Sequence, residues 1–243
     1  MKLTEAGERF RPAAEEMLRR LQMARQHALV AAQLRSETLK LAATHVLSLT
    51  FFPVWLRTLE ALSPTTVTVQ LTADHMAACE RLMLEGRIHF LLCHDHPAAT
   101  TRLAGDEFRS IEVGQDVLVP VVEPVLLKAR GEGDLPYLAY TSESGMGRIL
   151  AASWAAAGRR PPAEPSFSSL LASVIAAMAR DGRGMAWSPL SLVADDLEAG
   201  RLVRLGHGDD EVPMAIRLFR PRLRQSPAAE ALWERAVRLS RGA

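Results

Sequence analysis

The chain has 243 residues, 48% of them hydrophobic, enough for one large domain or two modest lobes around a sizeable core. A formal net charge of +1 argues for neither a nucleic-acid nor an acidic partner, and two cysteines do not build a secreted disulfide framework. No apolar stretch is long and clean enough to cross a bilayer, and Met1 to Arg11 is charged where a signal peptide would be apolar. A cytoplasmic, reducing location with no membrane partner is therefore expected.

Residues 8–35 are rich in Ala, Glu, Arg, Leu and Gln. Their apolar positions, Phe10, Ala14, Met17, Leu21, Ala24, Ala28 and Ala31, alternate gaps of four and three. That is the seam of a long helix that packs on another helix, the alternative being a surface helix lying on its own core. Pro12 either kinks this helix or occupies its first turn, where no N–H is needed. Leu39, Leu41 and Ala43 then predict a short strand. After the polar break Thr44-His45, a helical run follows through Pro53, Trp55, Leu56 and Leu59. Residues 66–71 alternate Val67, Val69 and Leu71 as a strand. Residues 74–85 place Met76, Cys79, Leu82 and Met83 on one helix face, stopped by Gly86, and residues 88–93 are an apolar strand. This β-α-β-α-β order marks a parallel sheet flanked by helices.

A second unit follows in the same style. Strands are expected at 117–122, 137–140, 185–187, 202–205 and 215–219, and helices at 145–157, 170–179, 190–198 and 227–239. Arg159-Arg160-Pro161-Pro162 reads as a loop. Two α/β units joined by strand crossings near 117–122 and 215–219 imply a cleft between lobes, where small ligands bind.

Leu3-Thr4-Glu5-Ala6-Gly7, followed by a long helix and then Leu39-Lys40-Leu41-Ala42-Ala43, resembles the LysR-type transcriptional regulators at the junction of reading head and linker helix. Residues 82–90, 178–189 and 196–203 resemble later segments of that family, including its helix–Gly-x-Gly–strand–Pro segment. The resemblance implies a two-lobed α/β effector domain like the type II periplasmic binding proteins, behind a dimerisation helix. It divides the chain into a wing remnant and linker helix (1–36), a first lobe (37–119 and 216–243) and a second lobe (120–215). It implies a homodimer or higher homo-oligomer joined through Phe10, Ala14, Met17 and Leu21. The family's helix-turn-helix would precede Leu3, so DNA would be read only by a segment that this chain lacks. Residues 41–49 and 140–148, the latter with Met146-Gly147-Arg148, resemble the hypochlorite-responsive members of the family. That implies oxidant sensing through methionine oxidation at Met146. The positions of two further sensing methionines carry Leu59 and Leu171 instead.

The residues themselves point to a cleft with polar walls. Thr44, His45 and Ser48 surround one strand-to-helix turn, and Thr141, Ser142 and Ser144 another. Helix N-termini offer unpaired N–H groups and a positive dipole end, so two facing turns favour an anion or a polar oxidant. Plain helix capping is the alternative for these hydroxyls. His94 at a strand end could reach the cleft, and Trp187 would line it from the second lobe. Met146, between two glycines, reads as lightly shielded and oxidisable, or as an ordinary core methionine. Cys93-His94-Asp95-His96 is a poor metal set, because neighbours on a strand point to opposite faces. No nucleophile elbow or phosphate loop is present, so neither an enzyme nor a cofactor is expected. Three functions remain. One is a regulator sensing hypochlorite or a related oxidant. Another is a regulator sensing a reversible anionic metabolite. The last is a solute-binding receptor that shares the fold.

Overall fold

The computed structural model describes residues 4–33, 38–62, 67–206 and 208–241. The expected boundary between residues 36 and 37 lies outside them, as do Leu3 and residue 66. Helix α1 is Glu5–Gln33, followed by β1 (Thr38–Thr44), α2 (His45–Thr50), α3 (Phe52–Leu62), β2 (Thr68–Asp74), α4 (Met76–Leu84) and β3 (Phe90–Asp95). Next come β4 (Phe108–Val122), α5 (Pro124–Arg130), β5 (Tyr137–Tyr140), α6 (Gly145–Ala156), β6 (Pro165–Ser169) and α7 (Ala172–Arg180). The chain closes with β7 (Ala186–Pro189), α8 (Leu190–Glu198), β8 (Val203–Arg204), β9 (Val212–Pro221) and α9 (Pro227–Arg241).

Helix α1 runs without a break through Pro12, which is eight residues in, so the first-turn option fails. Ion pairs one turn apart, Arg11 with Glu8 and Arg20 with Glu16, line its surface. Phe10, Met17 and Leu21 are 61%, 56% and 66% exposed. Between Phe10 and Leu21 the large apolar residues of the seam are therefore not buried on the chain's own core.

The main sheet has the order β2-β1-β3-β9-β4-β7, with β8 also on β4. Strands β1, β2 and β3 are parallel, as the alternation of strand and helix requires. β9 then pairs antiparallel with both β3 and β4. β1 and β3 are covered on both faces, so Ala42 is as buried as Leu41 and strict alternation is lost. β5 and β6 form a small parallel sheet, joined by a bridge from Tyr137 to Met185, the residue directly before β7. The fold is a two-lobed α/β domain in which β4 and β9 pass from one lobe to the other.

The structure extends or adds elements where apolar pattern was absent. β4 begins at Phe108 rather than 117, because Arg109, Ser110, Glu112 and Gln115 sit on a half-exposed stretch held by pairing with β9. β9 likewise starts three residues early. α5 and β6 were not anticipated. α5 buries no residue and is set by its cap, where the Glu123 carboxylate accepts the amides of Val125 and Leu126 ahead of Pro124 at the first turn. β6 is a Ser- and Pro-bearing edge strand.

Burial of side chains such as Leu41, Leu47, Phe90 and Leu218 supplies the first lobe's core, each contributing about 1.5–3 kcal/mol. One charge is buried with them. The Arg220 guanidinium grips both Glu230 carboxylate oxygens at 2.8 and 2.7 Å, donates to the carbonyls of Pro221 and Leu223, and lies 5.3 Å over the Trp233 ring. It fastens the end of β9 to α9. Its hydrogen bonds hold the Glu230 carboxyl below the usual range. Glu230→Gln leaves the guanidinium buried without its counter-charge and should cost about 3 kcal/mol in chemical denaturation. Because the folded pKa is the lower one, this stabilisation is complete above the ordinary carboxylate range and is lost as pH falls through the folded value. Stability measured downward from neutral pH should therefore fall more steeply in the native chain than in the variant.

Candidate functional site

Parallel β-α units put their strand-to-helix turns at one edge of the sheet. Here the turns before α2, α4, α6 and α7 meet the end of β3 around a cavity of about 40 Å³. Its walls include Thr44 and His45, Asp74 to Met76, His94, Ser144 to Met146, and Leu170 to Ala172. On the scale where one water needs about 10–15 Å³, it holds about three waters or a small ion. The first turns of α4, α6 and α7 bring free backbone N–H groups and positive dipole ends to this spot.

Three polar atoms on this wall are buried without a hydrogen-bond partner among the described residues: Thr44 Oγ1, His75 Nδ1 and His94 Nδ1. Leaving such a group unsatisfied costs about 1–3 kcal/mol, and the three residues that carry these atoms all line this cavity, which makes it the candidate ligand site. His94 is oriented from behind. Its Nε2 lies 3.0 Å from Asp116 Oδ2, and Asp116 also accepts from Ser191 Oγ at 2.6 Å, the Ser191 amide and the Val117 amide. Burial pushes the Asp116 carboxyl up, but the bonds from His94 and Ser191 outweigh it and hold the group below the usual range. A carboxylate only accepts, so Nε2 carries the hydrogen and Nδ1 is the nitrogen left over.

Of the residues expected at the cleft, Thr44, His45, His94, Ser144 and Met146 share this cavity. Thr44 and Ser144 precede α2 and α6, yet neither side chain makes a capping bond, so capping does not consume their hydroxyls. The other four lie elsewhere. Ser48 Oγ donates to the His45 carbonyl at 2.7 Å, one helical turn below the opening. Thr141 turns to Glu143 on the surface, and Ser142 is exposed. Trp187 lies in the second lobe's core, its ring 5.1 Å from that of Trp154 and its indole donating to the Asp210 carbonyl. Met146 is 6% exposed, so it is buried rather than lightly shielded. Its neighbouring glycines serve close approach instead: a Cβ on Gly145 would meet Met76 at 3.2 Å, and one on Gly147 would meet the Thr141 carbonyl at 2.5 Å.

Sequence reading missed His75 and Asp116, although Asp116 stands directly before the apolar run of β4. It also missed Glu80, whose side chain is fully buried on α4. Glu80 accepts from Thr101 Oγ1 and the Arg102 amide, and meets Arg148 of α6 at 3.4 Å. This pair joins the lobes two residues beyond Met146. The Cys93–His96 run disperses: His94 turns to Asp116 and Asp95 pairs with Arg217. Both cysteines are buried free thiols. Burial, with Asp74 beside it, pushes Cys79 up to about 12, and burial pushes Cys93 well above its ordinary value.

Two α/β lobes with a polar-tipped cavity where their helix N-termini meet define an effector-binding domain. Residues 32–240 match the family described as LysR substrate binding domain, and the chain belongs to that family, one of transcription regulators rather than enzymes. It is 24% identical over 242 residues to the HTH-type transcriptional regulator YjiE of Escherichia coli K12, covering 96% of this chain and 75% of that protein. The full-length structure of HypT from Salmonella typhimurium, described as a hypochlorite-specific LysR-type transcriptional regulator, superposes with a TM-score of 0.69 at 25% identity. That match covers 100% of this chain and 81% of HypT. The bromide-bound HypT regulatory domain of the same organism superposes at 0.66 with 24% identity, covering 85% and 96%.

With both thiols suppressed by burial, Ellman's reagent at about pH 8 should detect almost no thiol in the native chain and both after denaturation. Rapid reaction of either one in the native state would show that α4 or β3 opens locally.

Proposed function

We propose that this chain is the sensing part of a cytoplasmic LysR-type regulator whose cleft takes an anion of only a few atoms. The observation that carries this is a cavity of about 40 Å³ at converging helix N-termini, lined by residues that include Thr44, whose buried hydroxyl has no partner among the described residues and can donate to an anion. Metabolite pockets run to about 300–1,000 Å³, so the cavity favours a small ion over the anionic metabolite also expected from sequence. Asp74, the carboxylate on the wall, is turned onto the His75 amide at 2.7 Å. The bromide in the related regulatory domain supports a small anion as occupant.

In this reading the lobes comprise residues 37–119 with 216–243 and residues 120–215, pivoting on β4 and β9. The exposed seam of α1, at Phe10, Ala14, Met17 and Leu21, joins two copies, and operator contact belongs to the helix-turn-helix that this family joins to α1. The solute-receptor alternative gives no role to that seam.

A second reading is favoured by one contact surface: Met146 forms part of the cavity wall. Hypochlorite held there would transfer its oxygen to the thioether and leave as chloride. The polar sulfoxide would then disturb a buried residue of α6, next to the Arg148–Glu80 link.

Bromide should stabilise the native chain by mass action, by about 2.7 kcal/mol at a hundred times its dissociation constant, read as a raised melting temperature. Thr44→Val should be as stable as the native chain or more so without anion, and should lose most of the bromide response. An unchanged response in that variant, or none in the native chain, would sink the anion site. For the oxidant reading, stoichiometric hypochlorite followed by peptide mass spectrometry should find sulfoxide at Met146 before the exposed Met17. The reverse order would remove it.

A further inference from the structure

The cleft gathers histidines. His45 opens α2, His75 stands before α4 and His94 is the last residue but one of β3, and all three line the cavity. Asp74 is on the wall with them, its Oδ1 3.9 Å from His75 Nε2. Asp116 of β4 backs His94 and, held below the usual carboxylate range, is ionised. The turn into α7 supplies Leu170 to Ala172, and α8 reaches Asp116 with Ser191. Arg148 of α6 faces the buried Glu80 of α4, and Arg217 of β9 pairs with Asp95. In the flanking loops the His96 ring accepts the Ala98 amide, and Glu143 accepts from the Thr141 hydroxyl. Cys79 and Cys93 stay protonated, since burial raises both. Neither lysine nor arginine is among the lining residues. While the imidazoles are neutral, an anion in the cavity is therefore opposed by the carboxylates of Asp74 and Asp116 and favoured by partial charges and hydroxyls only.

We propose that the cleft takes its anion together with a proton from solvent, bound at His94 Nδ1, so that pH regulates the affinity of the site. This rests on the anion reading of the cleft and adds a second ligand to it. The three histidines are not equivalent. His45 and His75 stand at the starts of helices, where the positive dipole end opposes a second proton on the ring. His94 lies on a strand, with the Asp116 carboxylate 3.0 Å from Nε2 to favour the imidazolium. Its side chain is 2% exposed, and Nδ1 is buried with no hydrogen-bond partner among the described residues. Without an anion, a proton there makes a buried, charged N–H that lacks an acceptor, so the ring stays neutral. A negative charge in the cavity reverses that balance through the short, poorly screened distance, whether or not it touches the ring. The sign follows by linkage: a proton held more tightly in the filled site makes anion binding tighten as pH falls, by at most about tenfold per pH unit for one proton.

The probe is bromide, titrated by calorimetry on the full chain between about pH 6 and about pH 8, the range in which imidazole changes charge. Its dissociation constant should rise several-fold with pH across that window. Repeating the titration near the upper end in buffers of different ionisation enthalpy should show about half to one proton taken up per bromide. His94→Gln keeps a donor for Asp116 but cannot take the proton, and should leave weak bromide binding that no longer depends on pH. Nitrogen NMR of the native chain, labelled at histidine, reads the same event without that substitution. Bromide should convert one of the seven imidazoles from neutral to doubly protonated, and its signal should persist in His45→Gln and in His75→Gln. Absence of bromide binding at every pH overturns the anion reading and the coupling with it. Bromide binding of equal strength across the window, with no buffer-dependent heat, leaves the anion site standing and overturns the coupling. Persistent pH dependence in His94→Gln, or loss of the converting signal in either other variant, overturns the assignment to His94.

Discussion

Everything in this domain hangs on the antiparallel ladder between β4 and β9, which runs from Phe108 opposite Pro221 to Leu118 opposite Val212. These two strands carry the hydrogen bonding of one lobe directly into the other. A ladder of this kind bends and twists but does not come apart, so the lobes can change angle without losing their cores. The register irregularity between Glu112 and Gly114 falls within the shared stretch.

The cavity's chemistry follows from that ladder. Asp116 sits on β4 where the strand leaves the first lobe, and there it collects His94 from β3 and Ser191 from the first turn of α8. A buried carboxylate is stable only when so surrounded, and in return it sets which histidine nitrogen carries the hydrogen. Across the opening, the buried Glu80 carboxylate receives Arg148 from α6. The two networks have the same form: an acid held by one lobe and completed by a group from the other. The cavity is lined by both the turn before α6 and the end of β3, so an occupant there would touch the very elements that these acids connect.

Much of this was legible from local pattern. Helices with a clear apolar face, such as α4, α8 and α9, and the fully apolar β3 declare themselves because burial acts on each through its own periodicity. Thr44, His45, Ser144 and Met146 could be gathered because they follow strands and open helices, and parallel topology sends such turns to one edge. Elements without an apolar face, α5 and β6, could not be read that way, since a cap and an edge pairing hold them. Ser48 was drawn to the cleft by proximity in sequence, and Trp187 by its place at a strand end of the second lobe. One turn of helix and the demands of a tryptophan cluster placed them elsewhere.

The sequence by itself determined the alternation of strands and helices, the long seam of α1 and the polar character of the turns, because each depends on spacing along a single element. The tertiary structure alone decided that Met146 is buried, that three residues lining one cavity each hold a buried polar atom unpaired among the described residues, and that Asp116 and Glu80 bind across the lobes. Those properties depend on what stands opposite a side chain, often a hundred residues away, and no local periodicity records it.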